Sequence, residues 1–117
     1  MLLQLNHQQF DVYAIARGVV KDCYSLTKTF PAEEKFAMTQ QIRRAALSVY
    51  LNLSEGFSRK SEAERKRFFE VSRGSLIEVD AAFDIAEDLA YCQRENLTTL
   101  GTNVTRCFSM LSKLISH

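Results

Sequence analysis

The stretch from Gln40 to Gly56 constrains the possible fold more than any other part of the chain. Its residues recur at α-helical spacing and divide one helix into three distinct faces. One apolar stripe consists of Ile42, Ala45, Val49 and Leu53. A polar stripe beside it, here named the polar seam, consists of Gln41, Arg44, Ser48, Asn52 and Glu55. A third, apolar face consists of Leu47, Tyr50 and Leu51. Since a surface helix normally has one apolar stripe and one solvated side, this helix is expected to make contacts beyond its own domain.

Apolar periodicity along the rest of the chain predicts four helices, over about residues 8–27, 32–55, 62–91 and 97–115. Pro31 separates the first two helices, because the residue before a proline disfavours the helical conformation. Gly56 is expected to follow the second helix as a left-handed residue, and Ser61 is expected to cap the third in a capping box with Glu64. The short links and heptad-like stripes predict an all-α fold, an antiparallel up-down-up-down four-helix bundle that forms one domain over residues 1–117.

The composition indicates an ordinary soluble domain, since 117 residues with 46% hydrophobic and 25% charged side chains can form a core. Of the three widely spaced cysteines, Cys23 and Cys107 fall on apolar stripes, so buried free thiols in a reducing compartment are expected. The N-terminus lacks the features of a signal peptide, and no apolar run approaches the roughly 18 to 20 residues of a membrane span. The expected location is the cytoplasm, without contact to a membrane.

No catalytic or metal-binding constellation stands out in the sequence. The only histidines, His7 and His117, lie at the chain ends, which disfavours a di-metal centre with Glu-x-x-His pairs and a ribonuclease with an Arg–His pair. The sequence also lacks a GxSxG motif, an interior histidine base and a glycine-rich phosphate loop. We therefore expect no enzyme activity, no metal, no cofactor and no small-molecule substrate. A metal-dependent nuclease that uses Glu55 and Glu78 is the distant alternative.

Charge is distributed unevenly along the chain, although the net charge is only +1. The predicted turn between the second and third helices is basic, whereas the end of the third helix is acidic. The residues assigned to phosphate contacts are Arg43, Arg44, Arg59, Lys60, Arg65, Lys66, Arg67 and Arg73. One hypothesis is that this region binds nucleic acid. The alternatives are a solvated helix surface with internal Glu–Arg pairs, and complementary charge for a neighbouring subunit.

The polar seam allows two interpretations. It forms a functional groove with Arg73, Ser75 and Glu78 of the third helix, or it belongs to a hydrogen-bonded network that sets helix register or subunit pairing. We favour the network, whose expected members are Gln41, Ser48, Asn52, Glu55, Ser75 and Glu78. Leu47, Tyr50 and Leu51 are then candidates for an oligomer contact, because an uncovered apolar strip promotes association. The alternative for these three residues is the core of the bundle, since periodicity alone does not separate the two.

Several motifs occur together in an order that resembles a known family. They are Phe30-Pro31-x-x-Glu34, Gln41-Ile42-Arg43-Arg44-Ala45-Ala46-x-Ser48, Asn52-Leu53-x-Glu55-Gly56 and Gly74-Ser75-Leu76-x-Glu78. With them, the chain resembles the four helix bundle protein family from its first helix to Leu114. That family is also called the rRNA intervening-sequence protein family, because some members are encoded within insertions in bacterial 23S rRNA genes. The departures are mild: Leu53 replaces an isoleucine, Ser54 replaces an alanine, and residues 36–38 replace Tyr-Gly-Leu.

The resemblance implies a cytosolic bacterial four-helix bundle that assembles into a ring, with a homopentamer as the expected form. Accessory proteins of diversity-generating retroelements are similar pentameric barrels, whose basic surface works with a reverse transcriptase and nucleic acid. By position, the motif residues are Gln41, Arg43, Arg44, Ser48, Asn52, Glu55, Gly56, Ser75 and Glu78. The leading hypothesis is a non-enzymatic, ring-forming protein that binds either nucleic acid, with RNA as the expected kind, or a nucleic-acid-processing partner. The alternative is a protein–protein interaction scaffold that binds no nucleic acid.

Overall fold

Four α-helices make up most of the computed structural model, which describes residues 2–3 and 7–116, without the side chains of residues 7–9. The helices are α1 (His7–Thr27), α2 (Met38–Ser58), α3 (Glu62–Asp88) and α4 (Thr98–Ser116). Short 3₁₀ turns at Ala32–Glu34 and Arg94–Leu97 precede α2 and α4. No strand occurs within the described ranges, and the predicted all-α four-helix fold is confirmed. The side chain of His7 and the whole of His117 lie outside the described part of the chain.

Side-chain hydrogen bonds between neighbouring helices show that they run antiparallel. The bonds join Arg17 to Tyr50, Arg43 to Thr27, Ser48 to Ser75, and Gln41 to Glu78. Further bonds join Arg73 of α3 to Ser112 of α4, and Asn103 of α4 to Asp22 of α1. In three of these bonds, a residue near the start of one helix meets the second half of its neighbour: Arg43 with Thr27, Gln41 with Glu78, and Asn103 with Asp22. The chain therefore runs up and down around one core. The 27 residues of α3 extend about 40 Å, which accounts for the longest dimension of 43 Å.

The apolar stripes predicted for α2 and α3 face this core. On α2, the four stripe residues Ile42, Ala45, Val49 and Leu53 are all buried. On α3, the buried residues are Phe69, Ser72, Ser75, Leu76, Val79, Phe83 and Ala86. Ser72 satisfies its hydroxyl inside the core by donating to the carbonyl of Val49 at 2.6 Å. That bond joins α2 directly to α3 and was not expected from the apolar pattern.

The start of α2 lies six residues later than the sequence predicts. The chain forms the 3₁₀ turn Ala32–Glu34 after Pro31, and a non-helical Ala37 separates this turn from α2. The carboxylate of Glu34 accepts a hydrogen bond from the Met38 amide at 3.2 Å, so it satisfies one of the free donors at the start of α2. The same carboxylate accepts a bond from the hydroxyl of Tyr91 at 2.8 Å, which raises the pKa of that phenol.

The prediction for Gly56 is wrong, because α2 continues through this residue to Ser58. In the described part of the chain, no glycine has a positive φ. Glycine is needed at position 56 because it has no side chain that would collide with a neighbouring residue. A Cβ at this position would overlap the ring of Phe69, whose Cδ1 would lie only 2.7 Å away. Phe69 is buried and packs edge-on against Phe57, with ring centroids 5.0 Å apart, so glycine allows α2 and α3 to approach closely.

The end of α3 contains a left-handed residue that is not glycine. Ala90 has a φ of 62°, and the Tyr91 amide donates to the Ala86 carbonyl at 2.9 Å. This is the Schellman pattern that normally uses glycine after the helix. The helix therefore ends at Asp88, before the predicted end at about residue 91, and Ala90 is exposed.

Candidate nucleic-acid interface

The turn between α2 and α3 places five cations at one end of the bundle. This basic end consists of Arg59, Lys60, Arg65, Lys66 and Arg67. As predicted, Ser61 caps α3, and its hydroxyl accepts a hydrogen bond from the Glu64 amide at 3.1 Å. The return bond from the Ser61 amide to the Glu64 carboxylate, which would complete the predicted capping box, is not formed in the described chain. Arg65 Nη1 donates to the carbonyls of Arg59 at 3.1 Å and Lys60 at 2.7 Å. The guanidinium of Arg65 therefore holds the turn in place.

Carboxylates neutralise only part of the basic end. Arg59 pairs with Glu55 at 2.8 Å and Lys66 pairs with Glu62 at 3.2 Å, both at i,i+4 spacing on the same helix. The four side chains are between 33% and 63% exposed, and exposed pairs of this kind contribute only about 0.3–0.5 kcal/mol. Within residues 2–3 and 7–116, neither Lys60 nor Arg67 forms an ion pair. Phosphates can therefore compete for these cations at little cost.

An aromatic ring lies among the cations. The guanidinium carbons of Arg59 and Arg67 lie 4.9 Å and 5.8 Å from the centroid of the Phe68 ring. Phe68 is half-buried, so part of its ring remains accessible next to the two arginines. Aromatic and guanidinium planes are the surfaces on which unpaired bases stack. Phe68 was not among the residues predicted from the sequence, and the signal for it is an aromatic residue directly after the basic run from Arg65 to Arg67.

The other three predicted phosphate contacts lie elsewhere. Arg43 Nε donates to Thr27 at 2.9 Å, and its guanidinium lies over the ring of Tyr24 at 4.7 Å, so it joins α2 to the end of α1. Arg73 Nη1 donates to Ser112 at 3.1 Å and thereby joins α3 to α4. Arg44 is exposed on α2 about 22 Å along the helix from the turn. The structure thus brings together five of the eight cations and places Arg43, Arg44 and Arg73 on separate surfaces.

The predicted hydrogen bonds between α2 and α3 include five of the six expected residues, in two separate groups: Gln41 with Glu78, and Ser48, Asn52 and Ser75 at mid-length. The hydroxyls of Ser48 and Ser75 are 2.7 Å apart. Asn52 Nδ2 donates to the carbonyl and the hydroxyl of Ser48, at 2.9 Å each. These three residues fix the register of the two helices at mid-length, whereas Glu55 bonds to Arg59 outside the network.

The carboxylates of Glu55 and Glu78 are not brought together. Glu78 accepts a bond from Gln41 at 3.4 Å, whereas Glu55 pairs with Arg59 beside the turn. Gln41 and Glu55 are separated by about 21 Å along α2, so the two carboxylates occupy different ends of the α2–α3 pair. In the described part of the chain, no three metal-binding side chains lie close enough together to hold an ion.

The α2–α3 pair exposes an apolar surface on the side away from the core. This outer face consists of Leu47, Leu51, Val71, Gly74 and Ile85. Leu51 is 57% exposed and Val71 is 48% exposed, and a Cβ added at Gly74 would meet no atom within 4 Å. Tyr50 does not belong to this face. Its hydroxyl accepts a bond from Arg17 at 3.0 Å and its ring packs edge-on against Tyr13, so it faces α1. Val71 and Ile85 were not among the predicted contact residues, and the signal for them is their spacing of fourteen residues, which is two heptads.

The three cysteines are buried free thiols, as expected for Cys23 and Cys107. Burial raises the pKa of Cys23 to about 12 and that of Cys107 to about 11. Both side chains therefore remain protonated at neutral pH and are poor nucleophiles. Among the described residues, no helix is long and apolar enough to cross a bilayer.

Comparisons with known proteins agree with the fold. The chain is similar to a solved protein of unknown function from Bacteroides thetaiotaomicron VPI-5482, which is assigned to the S23 ribosomal protein family. The two share 17% sequence identity with a TM-score of 0.80, over 91% of this chain and 99% of the other. No curated protein sequence matches the chain. Residues 8–113 match the family model described as 23S rRNA-intervening sequence protein. Because this match covers nearly the whole chain, the protein belongs to the 23S rRNA-intervening sequence protein family.

Proposed function

We propose that the protein binds nucleic acid through its basic end, with structured RNA as the preferred ligand. It is a non-enzymatic, self-associating helical-bundle protein of the bacterial cytoplasm. The observation that carries this proposal is the group of five cations within residues 59–67, three of which (Lys60, Arg65 and Arg67) form no ion pair in the described chain. The opposite end of α3 is acidic. Because charge is segregated along the bundle, one end has a positive potential although the net charge is only +1.

The geometry of the basic end favours RNA with exposed bases. Cations that contact phosphates release condensed counterions, which provides a large part of the binding free energy at low salt. The ring of Phe68 lies beside Arg59 and Arg67 and offers a stacking surface next to those phosphate contacts. Bases in RNA loops and bulges are free to stack on such a surface, whereas the bases of a duplex are not.

Self-association supports this function, because each subunit of an assembly contributes one basic end. The outer face exposes Leu47, Leu51 and Val71 beside Gly74, which leaves room for the backbone of another helix. A contact between two different surfaces of the same protein closes into a ring when its rotation allows, and the family resemblance implies five subunits. In a ring, every basic end lies on the same rim. Several weak phosphate contacts then act together on one nucleic acid.

A scaffold that binds only proteins is the second candidate. Three of the five cations already have partners, since Arg59 and Lys66 pair with carboxylates and Arg65 binds the turn. Together with the exposed leucines of the outer face, this arrangement fits a protein whose surfaces contact its own copies or an acidic partner protein. In that case the basic end contributes electrostatic attraction to a protein and no RNA is bound.

Fluorescence anisotropy distinguishes these two functions. A labelled RNA hairpin and a labelled DNA duplex are titrated with the protein across a series of salt concentrations. The double variant Lys60→Glu/Arg67→Glu is compared with Lys21→Glu/Lys28→Glu, which makes the same charge change at two exposed lysines, one in α1 and one directly after it. The mass of each variant is measured by light scattering, so that loss of binding is not confused with loss of assembly.

We expect the wild-type protein to bind the hairpin with an affinity that falls log-linearly with salt. Reversal at Lys60 and Arg67 should weaken binding at least about tenfold and reduce the salt slope by about 2, with the mass unchanged. The control variant should lose much less affinity. Absence of binding at low salt, or an equal loss in both variants, would remove the basic end as a nucleic-acid site and favour the scaffold.

A further inference from the structure

A second surface of the protein lies between the C-terminal half of α3 and the N-terminal half of α4. The two helices diverge there and leave an open groove of about 710 Å³. Its floor is apolar and consists of Phe83, Leu97, Leu100 and Val104. A smaller hollow of about 240 Å³ continues it toward the middle of the bundle, between the exposed side chains of Ile77 and Phe108. Asp80, Val104 and Thr105 line both hollows, so they form one continuous groove.

The α3 wall of this groove is acidic. Asp80 and Asp84 are exposed one helical turn apart, and neither forms an ion pair within the described residues. Glu87 lies one turn further and pairs with Arg94 at 2.8 Å. An occupant of the groove is therefore attracted if it carries positive charge along the edge that faces α3.

The α4 wall is shaped for the close approach of another backbone. Gly101 lies inside α4, where glycine disfavours the helix, and a Cβ added there would meet no atom within 4 Å. Packing within the described chain therefore gives no reason for glycine at this position. Apart from the long basic side chain of Arg106 at its far end, the α4 wall carries the short side chains of Thr98, Thr102 and Thr105. A helix can lie closer to such a wall than to one of long side chains.

We propose that this groove is a docking site for a basic amphipathic helix of a partner protein. The apolar floor receives the apolar side chains of the helix, and Lys or Arg residues on one edge face Asp80 and Asp84. From Ile77 to Glu87 the wall extends about 15 Å, which matches about three turns of helix. The site lies at the opposite end of α3 from the basic end and does not depend on nucleic-acid binding.

A model peptide provides a direct test. The probe is a fluorescein-labelled peptide of about 14 residues, with leucines at helical spacing and lysines on both edges of the apolar stripe. A matched peptide carries glutamate at every lysine position. Anisotropy titrations against the full chain give the two affinities, and amide chemical-shift changes on addition of the lysine peptide show where it binds.

Two pairs of variants connect binding to the groove. Gly101→Leu fills the groove from the open α4 wall, and Thr99→Leu adds a similar side chain to a neighbouring exposed position outside the groove. Asp80→Lys/Asp84→Lys reverses the acidic wall, and Glu64→Lys/Glu70→Lys makes the same charge change at exposed positions near the start of α3. Circular dichroism and light scattering on each variant measure whether its fold and its mass differ from those of the wild type.

The proposal predicts that the lysine peptide binds at least about tenfold more tightly than the glutamate peptide. Gly101→Leu and the Asp80/Asp84 variant should each weaken the lysine peptide about tenfold or more, whereas their controls bind as the wild type does. Equal binding of the two peptides, or equal effects of a variant and its control, would overturn it. A fall in mass caused by Gly101→Leu would show that a second copy of the chain occupies the groove, and would also overturn it.

Discussion

Gly56 on the inner side of α2 and Gly74 on the outer side of α3 both lie inside long helices, but their surroundings differ. A Cβ at Gly56 would overlap the buried ring of Phe69, whereas a Cβ at Gly74 would meet nothing within 4 Å. Glycine inside a helix costs about 1 kcal/mol relative to alanine. At Gly56, close packing of an aromatic ring offsets that cost. At Gly74, no contact in the described part of the chain offsets the cost of glycine in the helix.

The comparison separates side chains that hold the bundle together from side chains that are available to a partner. On the inner side, Ser72 and Phe69 connect α2 to α3 by a buried hydrogen bond and an aromatic contact. On the outer side, Leu51 and Val71 remain about half exposed around Gly74. A surface that is apolar, open and accessible to a backbone is typical of a protein–protein contact. This contrast supports the outer face as the surface of the proposed self-association.

The largest expected effect is that of Gly56→Ala. The added methyl group must displace the Phe69 ring, and overpacking of this kind costs typically about 1–3 kcal/mol, more than the helical propensity that alanine gains. We expect the free energy of unfolding, measured in urea, to fall by about 2 kcal/mol. An unchanged or higher stability would mean that the ring moves without cost, and the contrast between the two glycines would disappear.

A charge on the outer face should break self-association without unfolding the subunit. Leu51→Glu places a carboxylate at a position that is 57% exposed, so the core is not disturbed. We expect the dissociation constant of the assembly to rise about tenfold or more, which corresponds to about 1.4 kcal/mol or more. Light scattering over a dilution series measures this change. Phe36→Glu alters an 80% exposed ring outside this face and should leave the mass unchanged; a loss of mass in that variant alone would place the contact elsewhere.

Gly74→Ala should have the opposite effect on stability to Gly56→Ala. The new methyl group enters open space, so the isolated subunit should gain about 1 kcal/mol from helix propensity. If another backbone approaches Gly74 closely, the same variant should also lower the mass of the assembly. Urea unfolding at low protein concentration measures the first effect, and light scattering measures the second. A gain in stability with full assembly would show that the contact does not include Gly74.

The smallest expected effect is at Ala90, where the backbone is left-handed but the residue is not glycine. Its φ of 62° is unfavourable for a residue with a Cβ, so Ala90→Gly should stabilise the protein by about 0.5–1 kcal/mol. Ala81→Gly is the matched control, because Ala81 is exposed inside α3 and should lose about 1 kcal/mol. Thermal unfolding of the two variants should shift in opposite directions. A loss of stability in both would mean that Ala90 makes favourable contacts that outweigh its strain.

Much of the fold follows from local patterns that the chain carries by itself. The burial of Ile42 and Leu53 was predicted, because helical periodicity shows which residues share a face. The capping of α3 by Ser61 was predicted for a similar reason, since a cap satisfies amides within one turn of the same segment. The run from Arg59 to Arg67 was recognised because neighbours in sequence must also be neighbours in space.

Other properties depend on which helix packs beside which, and these were decided only by the tertiary structure. Arg43 was assigned to phosphates and Tyr50 to an oligomer contact, but both face α1. Gly56 was expected to end α2, but glycine is needed there because the Phe69 ring of another helix occupies the space that a Cβ would take. Periodicity determines the faces of each helix but not their neighbours, because the rotation and separation of packed helices depend on side chains that are distant in sequence.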